Sequence, residues 1–263
     1  MQKYTKRLLL TIAVMAVAGG ATLPARAQGI TAKQADELLQ QNREVLNELK
    51  QIHQLLERQL AAPPRPAAAA APPPDDKVRV EIKPGAYSIG RADAPLTLVE
   101  YTDYQCPFCR QFHIATFEEI KKNYIDTGKL RYVSRDFPLD MHENAQRAAM
   151  SARCAADQGK FWELRHVMIV NANQLQPQNI ATYATDLKLD VDKLNGCVTS
   201  GKYRADVDQN MAEGRSAGVS GTPSFVLGRT DKDAVDGVRI VGAQPYAAFD
   251  SRLKELLEKV PPS

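Results

Sequence analysis

Cys106 and Cys109, with two residues between them, are the side chains of this sequence best suited to chemistry. A Cys-x-x-Cys pair can bind a metal, form a structural bridge, or cycle between dithiol and disulfide. Residues 96–104, LTLVEYTDY, precede the pair and are rich in β-forming residues, whereas residues 110–124, RQFHIATFEEIKKNY, have a helical pattern. The pair is therefore expected where a buried strand runs into the first turn of a helix.

This junction predicts different roles for the two cysteines. Backbone N–H groups and the positive end of the helix dipole stabilise a thiolate in the first turn, and such surroundings lower a cysteine pKa to about 3.5–7.5. Pro107 suits an early helical position, because its missing N–H costs nothing there. We expect Cys106 to attack or be attacked, and Cys109, one turn further along, to resolve the mixed disulfide.

The surrounding sequence predicts one α/β domain from Val78 to Lys259, preceded by separate N-terminal elements. After the first strand and helix, the pattern indicates a second strand at 129–137 and a helical block at 143–217. An antiparallel strand pair at 224–228 and 237–242 and a closing helix at 246–260 follow. The helical block thus interrupts a small sheet domain.

Four segments of this domain resemble the DsbA-like thiol:disulfide oxidoreductases of the thioredoxin-fold superfamily. They lie within residues 90–259 and read EYTDYQCPFC, RDFPL, ARCAADQGKFWEL and GVSGTPSF. The resemblance implies a thioredoxin fold with an inserted helical domain at about 143–217. It also implies a cis Thr222–Pro223 peptide bond beside the cysteines, presenting backbone groups to an extended substrate chain. The expected substrate-binding residues are Pro107, Phe108, Thr222 and Pro223.

Glu100 lies six residues before Cys106, the spacing at which DsbA-like enzymes keep an acidic residue below the buried cysteine. Such a carboxylate can accept the proton of Cys109 when this thiol attacks. Asp103 is a competing candidate, and a solvated acid at the strand end is the alternative for both. The strongly oxidising members of the family have histidine where this chain has Phe108, so we expect a less oxidising redox potential here.

Pairing Cys106 with Cys109 leaves Cys154 and Cys197, which are 43 positions apart. In an exported protein we expect these two to form a structural disulfide; two buried free thiols and a second redox pair are the alternatives. No metal and no cofactor are expected, because structural zinc takes four ligands and only His113, assigned to packing or to the surface, lies near the first pair. Copper(I) capture by the two thiolates is the alternative.

The first residues have the pattern of a cleavable signal peptide at 1–27, with a basic start, an apolar run and small residues around Arg26. We expect cleavage after Ala27 and a periplasmic or otherwise exported protein. An uncleaved anchor is the alternative, although the run is shorter than the ~20 residues of a membrane-spanning helix. Without this segment the 34 basic and 31 acidic residues become 30 and 31, so charge gives no support to a nucleic-acid partner.

An N-terminal amphipathic helix is expected within residues 28–60, because 31–60 lack Gly and Pro and repeat apolar residues at helical spacing. Its heptad repeat has two seam positions, occupied by Ala35, Asn42, Leu49 and Leu56 and by Leu38, Val45, Ile52 and Gln59. This pattern favours a coiled coil that makes a homo-oligomer, with a helix folded back on the main domain as the alternative. Residues 61–76, nearly all Ala and Pro, predict a semi-rigid linker to a domain at 77–263.

Two classes of function fit these features. The first is an exported enzyme that forms, reduces or reshuffles disulfides in cysteine-containing exported proteins, together with a membrane redox partner. A lone domain is readily kept oxidised by such a partner, whereas domains held apart by helices shield the site, which favours isomerase or reductase activity. Both directions stay open. The second class is a non-catalytic peptide-binding holdase or a copper-handling module on the same fold.

Overall fold

The computed structural model describes residues 31–61, 77–231 and 233–259, without the side chains of 55–61. The signal peptide expected at 1–27 lies outside these residues, and so does the expected linker at 61–76 apart from Ala61. The chain divides into two compact units, Met1–Ala69 and Ala70–Ser263.

The first unit is described as one helix, α1 (Ala32–Ala61), which confirms the expected N-terminal amphipathic helix. It begins with a capping box: the Thr31 hydroxyl accepts a hydrogen bond from the Gln34 backbone, and the Gln34 side chain accepts one from the Thr31 backbone. Large apolar side chains along α1 are 48–55% exposed, namely Leu38, Leu39, Val45, Leu46, Leu49 and Ile52. This unit therefore carries an apolar stripe on its surface.

The second unit combines one sheet with helices. Its strands are β1 (Lys77–Glu81), β2 (Ser88–Ile89), β3 (Leu96–Thr102), β4 (Leu130–Asp136), β5 (Ser224–Asp231) and β6 (Ala234–Val241). Its helices are α2 (Pro107–Phe112), α3 (Glu118–Ile120), α4 (Ala145–Ala156), α5 (Phe161–Val170), α6 (Pro177–Asp186), α7 (Val191–Thr199), α8 (Arg204–Ser216) and α9 (Tyr246–Glu258). Two π-helical turns, His113–Phe117 and Lys121–Ile125, flank α3.

The strands form a sheet in the order β1-β6-β5-β3-β4-β2, in which β3 and β4 are parallel and the other neighbours are antiparallel. A parallel pair needs a crossover, which α2, α3 and the two π-helical turns supply. Helices α4 to α8 are inserted between β4 and β5, before the β5–β6 hairpin. The expected α/β thioredoxin fold with an inserted helical block is therefore confirmed.

Strands β1 and β2 were missed by the sequence analysis. Both lie at the edges of the sheet, β1 against β6 and β2 against β4. Only Val80 of β1 is fully buried, and β2 has two residues. Short edge strands bury little surface, so their hydrophobic alternation is weak.

Strand β3 lies inside the sheet, and all seven of its residues are buried. Successive side chains point to opposite faces, so Leu96, Leu98 and Glu100 share one face while Val99 and Tyr101 share the other. On the first face the core includes residues of α2 and α9. This register places the carboxylate of Glu100 in the interior, on the face that α2 covers.

A buried arginine and a disulfide hold the helical block. Arg153 of α4 donates to Asp136 at the end of β4 at 2.6 Å and to Asn210 of α8 at 2.7 Å. Cys154 and Cys197 form a disulfide between α4 and α7, with their Cα atoms 5.9 Å apart. In the chain-entropy model, closing a loop of this length adds about 4 kcal/mol to the free energy of unfolding.

A close approach of α8 to the sheet generates a stability prediction. A Cβ atom on Gly214 would lie 2.8 Å from the ring of Phe137 and 3.0 Å from the ring of Tyr101. Gly214→Ala should therefore lower the free energy of unfolding by about 1–3 kcal/mol, because the added methyl overpacks this contact. The measurement is urea unfolding followed by circular dichroism.

Gly196 provides the matched control, since it lies in α7 and an added Cβ would meet nothing within 4 Å. Gly196→Ala should raise the free energy of unfolding by about 0.5–1 kcal/mol through the lower entropy of the unfolded chain. Equal effects of the two substitutions would rule out the close packing of α8 as the cause.

Candidate active site

The two cysteines of the Cys-x-x-Cys pair lie at the junction of β3 and α2. A tight turn follows β3, in which the Cys106 backbone N–H donates to the carbonyl of Asp103 at 3.2 Å. Cys106 is the N-cap of α2 in an extended conformation (φ −72°, ψ 123°), and Pro107 begins the helix. Cys109 follows one turn later and is fully buried. Both thiols are free.

The protonation states of these two thiols differ strongly. The pKa of Cys106 is lowered to about 6, chiefly because the Cys109 thiol donates a hydrogen bond to its sulfur, with Thr222 and the backbone N–H groups of Phe108 and Cys109 adding to the effect against the cost of burial. Burial, the same hydrogen bond and the charge of Glu100 hold the pKa of Cys109 well above its ordinary value. A thiolate at position 106 beside a neutral thiol at 109 is the state that this geometry favours.

The loop that precedes β5 lies next to Cys106. The Thr222–Pro223 peptide bond is cis, and the Cys106 sulfur lies 3.3 Å from the Thr222 carbonyl oxygen. The Pro223 carbonyl accepts from the Gly242 N–H at 2.8 Å, which ties this loop to the end of β6. The structure thus brings Thr222 and Pro223, 116 residues after Cys106, next to the reactive sulfur.

Phe108, which stands between Pro107 and Cys109, is 60% exposed. A large apolar ring left in solvent beside a reactive group is available to contact a partner. Cys106 itself is only 3% exposed. All four residues expected to bind substrate therefore adjoin Cys106 in the chain or in space; their contact with a substrate remains a prediction.

Glu100 is fully buried and has several donors around it. Its carboxylate accepts from Arg165 at 2.7 Å and from the Tyr132 hydroxyl, and it lies 3.1 Å from Nε2 of His113. Burial alone would raise the pKa of Glu100, but the neighbouring His113 and Arg165 side chains hold it below its ordinary value. Glu100 is therefore an ionised interior group that raises the pKa of Cys109, and the alternative of a solvated strand-end acid does not describe it.

Asp103, the competing candidate, is also fully buried, but its carboxylate is hydrogen-bonded to the turn that follows β3. Its carboxylate accepts from the backbone N–H groups of Gln105 at 2.7 Å and Leu139 at 2.8 Å, and from His142 at 2.8 Å. Its own backbone N–H faces the Cys109 sulfur at 3.5 Å. These bonds fix the loop that carries Cys106, so the Asp103 side chain has a structural task.

Sequence reasoning missed Arg165 and Tyr132 and assigned His113 to packing or to the surface. His113 carries a signal in the sequence, since it is the fourth residue after Cys109 and so shares its helix face. Arg165 lies in α5 and Tyr132 in β4, and nothing in the local sequence points from either to Glu100. Among the described residues, no group of three or more His, Cys, Asp or Glu side chains converges as a metal site.

The chain is similar to proteins of two kinds. The family model described as thioredoxin matches residues 83–244. The Na(+)/H(+) antiporter NhaA 3 of Salinispora tropica is 32% identical over 163 residues, which are 62% of this chain and 24% of that protein. The chain thus spans about a quarter of the length of the curated relatives that it matches. Among the helices of the described residues, none has the length and apolar content of a membrane span.

Solved structures of DsbA proteins share the fold. The alpha-DsbA1 of Wolbachia pipientis is 26% identical, with a TM-score of 0.60 over 67% of this chain and 93% of that one. BdbD from Bacillus subtilis is 19% identical, with a TM-score of 0.59 over 70% of this chain and 100% of that one. With a family match over more than half of its length and the fold of the DsbA thiol:disulfide oxidoreductases, the chain belongs to the thioredoxin family as a DsbA-like member.

Proposed function

We propose that this protein is an exported thiol:disulfide oxidoreductase that forms, reduces or reshuffles disulfides in other proteins through Cys106 and Cys109. The observation that carries the proposal is the difference between the two sulfurs: one thiol has its pKa lowered to about 6, and the other, one helical turn away, has its pKa raised. Disulfide exchange needs a thiolate that attacks and a second thiol that resolves the intermediate.

The same pair supports electron flow in both directions. In reduction, the Cys106 thiolate attacks a substrate disulfide, and Cys109 then displaces the substrate sulfur from the mixed disulfide. In oxidation, a substrate thiolate attacks Cys106 in the enzyme disulfide and Cys109 leaves; the second substrate thiol then displaces Cys106. The cis Thr222–Pro223 loop and exposed Phe108 lie where an extended, cysteine-containing chain would meet the reactive sulfur.

The proposal that this protein is exported rests on the sequence pattern of residues 1–27. An exported protein would meet its substrates outside the cytoplasm, where a membrane partner sets its redox state. The proposed substrates are cysteine-containing exported proteins. An oxidising compartment is also where a disulfide such as Cys154–Cys197 persists.

The apolar stripe of α1 supports self-association. Four half-exposed side chains lie at the seam positions of its heptads, namely Leu38, Val45, Leu49 and Ile52, and Asn42 interrupts this apolar seam. A single polar residue at such a position sets register and oligomeric state. We propose that copies of this chain assemble through α1, and that the assembly favours isomerase or reductase activity by holding catalytic domains apart.

The first prediction from the proposed function concerns the reactivity of Cys106. Iodoacetamide should alkylate the reduced protein with a rate that rises with pH and reaches half of its plateau near pH 6, because only the thiolate reacts and its pKa is about 6. Mass spectrometry of the protein quenched at intervals gives the rate and the site. A half-point near 8.5, the value of an ordinary thiol, would contradict an activated Cys106.

The second prediction separates the enzyme from the non-catalytic alternatives. Cys106→Ser should abolish the reduction of insulin and the reactivation of scrambled ribonuclease, because the attacking sulfur is gone. Cys109→Ser should accumulate mixed disulfides with substrate proteins, visible on non-reducing gels, because the resolving thiol is missing. Full activity of Cys106→Ser would instead favour a peptide-binding holdase.

The third prediction tests assembly through α1 with the full-length chain. Leu49→Glu should convert the oligomer to a monomer in sedimentation velocity, because it puts a charge into the apolar seam. Asn47→Glu, an exposed position of the same helix outside the seam, should leave the assembly intact.

The same two variants test the link between assembly and activity. Leu49→Glu should reactivate scrambled ribonuclease less well than wild type, whereas Asn47→Glu should match it. A monomeric Leu49→Glu protein with undiminished reactivation would exclude isomerisation by an assembled form.

A further inference from the structure

A buried cluster of polar side chains surrounds Glu100, close enough to Cys109 for the charge of Glu100 to act on its thiol. At its centre the Glu100 carboxylate has its two oxygens 3.2 and 3.1 Å from Nε2 of His113, and it also accepts from Arg165 and Tyr132. Arg165 in turn donates to the Tyr132 hydroxyl at 2.8 Å and to Ser134 at 3.0 Å. The His113 side chain is 4% exposed and that of Glu100 is 0% exposed, so water has little access to their contact.

His113 is placed where it links Glu100 to Cys109. It follows Cys109 by four residues, hence lies on the same helix face, and it begins the first π-helical turn. π-Helical turns within helices occur frequently at functional sites. The backbone that carries the resolving thiol therefore also carries the imidazole that contacts the buried carboxylate.

The protonation of the His113 ring follows from its surroundings. Burial is the main reason that the pKa of His113 lies below its ordinary value, and Arg165 adds to the effect while Glu100 opposes it. A neutral imidazole carries one N–H, and an ionised carboxylate can only accept. Nε2 lies 3.2 and 3.1 Å from the two oxygens of Glu100 and 3.1 Å from a nitrogen of Arg165. The contact with the carboxylate is satisfied by the tautomer in which Nε2 bears the hydrogen.

We propose that His113 is a positioning residue for the proton step at Cys109: its Nε2–H donates to Glu100 and keeps this carboxylate ionised as the acceptor of the Cys109 proton. This inference rests on the proposed function of the Cys106–Cys109 pair. It assigns a task to a side chain that would otherwise be one of several buried rings beside Phe112 and Phe117.

The proton step balances without any further reactant. As Cys109 attacks the mixed disulfide, its S–H bond breaks and the proton passes to Glu100. The sulfur electron pair forms the bond to the Cys106 sulfur, and the bond between Cys106 and the substrate sulfur breaks, with its electron pair leaving on the substrate thiolate. In the opposite direction Glu100–H returns the proton to Cys109 as it leaves.

The groups that face His113 set the direction of the expected pH effect. Glu100 of β3 and Arg165 of α5 contact its ring, and the exposed His166 of α5 has a smaller influence through its charge. With His113 removed, Glu100 keeps Arg165 and Tyr132 but loses one donor, so its pKa rises. The carboxylate is then protonated, and useless as a base, at a higher pH than in the wild type.

The experiment follows the decay of the mixed disulfide that the reduced protein forms with glutathione disulfide, at pH values from about 3 to 8, by acid quench and mass spectrometry. His113→Asn, whose amide is too short to replace Nε2, should move the acid limb of the decay rate upward by about one pH unit, a tenfold slower decay on that limb. His113→Gln, whose amide nitrogen can take the place of Nε2, should keep the acid limb within about 0.3 pH units of wild type, which is a twofold change in rate.

Two controls complete the design. His166→Asn makes the same change at an exposed histidine of α5 and should leave the decay profile as in wild type. In a Glu100→Gln background, His113→Asn should slow the decay no further, because the carboxylate it positions is absent. A His113→Asn protein that does not fold is replaced by His113→Ser, which also lacks the donor at that distance.

The outcomes are distinct. An unshifted acid limb in His113→Asn, or an equal shift in His113→Gln, would overturn the positioning role while rapid alkylation of Cys106 left the proposed function standing. Slow alkylation of Cys106 in the wild type, with no mixed disulfide formed, would defeat the proposed function itself.

Discussion

The coupling between the two cysteine sulfurs is the interaction on which the proposed chemistry of this protein depends. It stabilises the thiolate of Cys106 and the protonated thiol of Cys109 at the same time, so the pKa of one falls as the pKa of the other rises. Two cysteines in equal surroundings would share the charge. Here the open end of a helix lies on one side and the protein interior on the other, and this difference decides which sulfur carries the negative charge.

Two buried arginines connect that asymmetry to the inserted helical block. Arg165 of α5 bonds to Glu100 and Ser134 on β3 and β4, and Arg153 of α4 bonds to Asp136 at the end of β4. Buried charges are tolerated only when they are paired and hydrogen-bonded. The insertion therefore supplies the cation that keeps Glu100 ionised, so the helical block contributes to the surroundings of the candidate site.

The N-terminal helix α1 bears on which substrates reach the cysteine pair, and not on how the pair reacts. A helix with half-exposed leucines has a reason to associate, because about 25 cal/mol is gained for each Å² of apolar surface buried. Proposed assembly through α1 would raise the local concentration of catalytic sites around one substrate chain. On this view the Cys106–Cys109 pair sets the type of reaction, and the helix influences which substrates can reach it.

Much of this protein can be derived from its sequence because the relevant signals are local. The Cys-x-x-Cys spacing, the proline that begins α2, the buried run of β3 and the heptads of α1 are each read within one or two dozen residues. The spacing of Glu100 from Cys106 within the same strand–helix unit made it a candidate before its surroundings were known.

Only the tertiary structure decided what surrounds Glu100. Its donors come from α5, β4 and a π-helical turn, up to 65 residues away, and hydrophobic periodicity carries no information about which distant side chains meet. The short edge strands β1 and β2 escaped the sequence analysis for a related reason, since they exist through pairing with β6 and β4. The sequence alone predicted the Cys106–Cys109 pair and the order of the central strands and helices. Long-range packing determined the electrostatics, because a buried charge depends on partners that only the folding of the chain brings together.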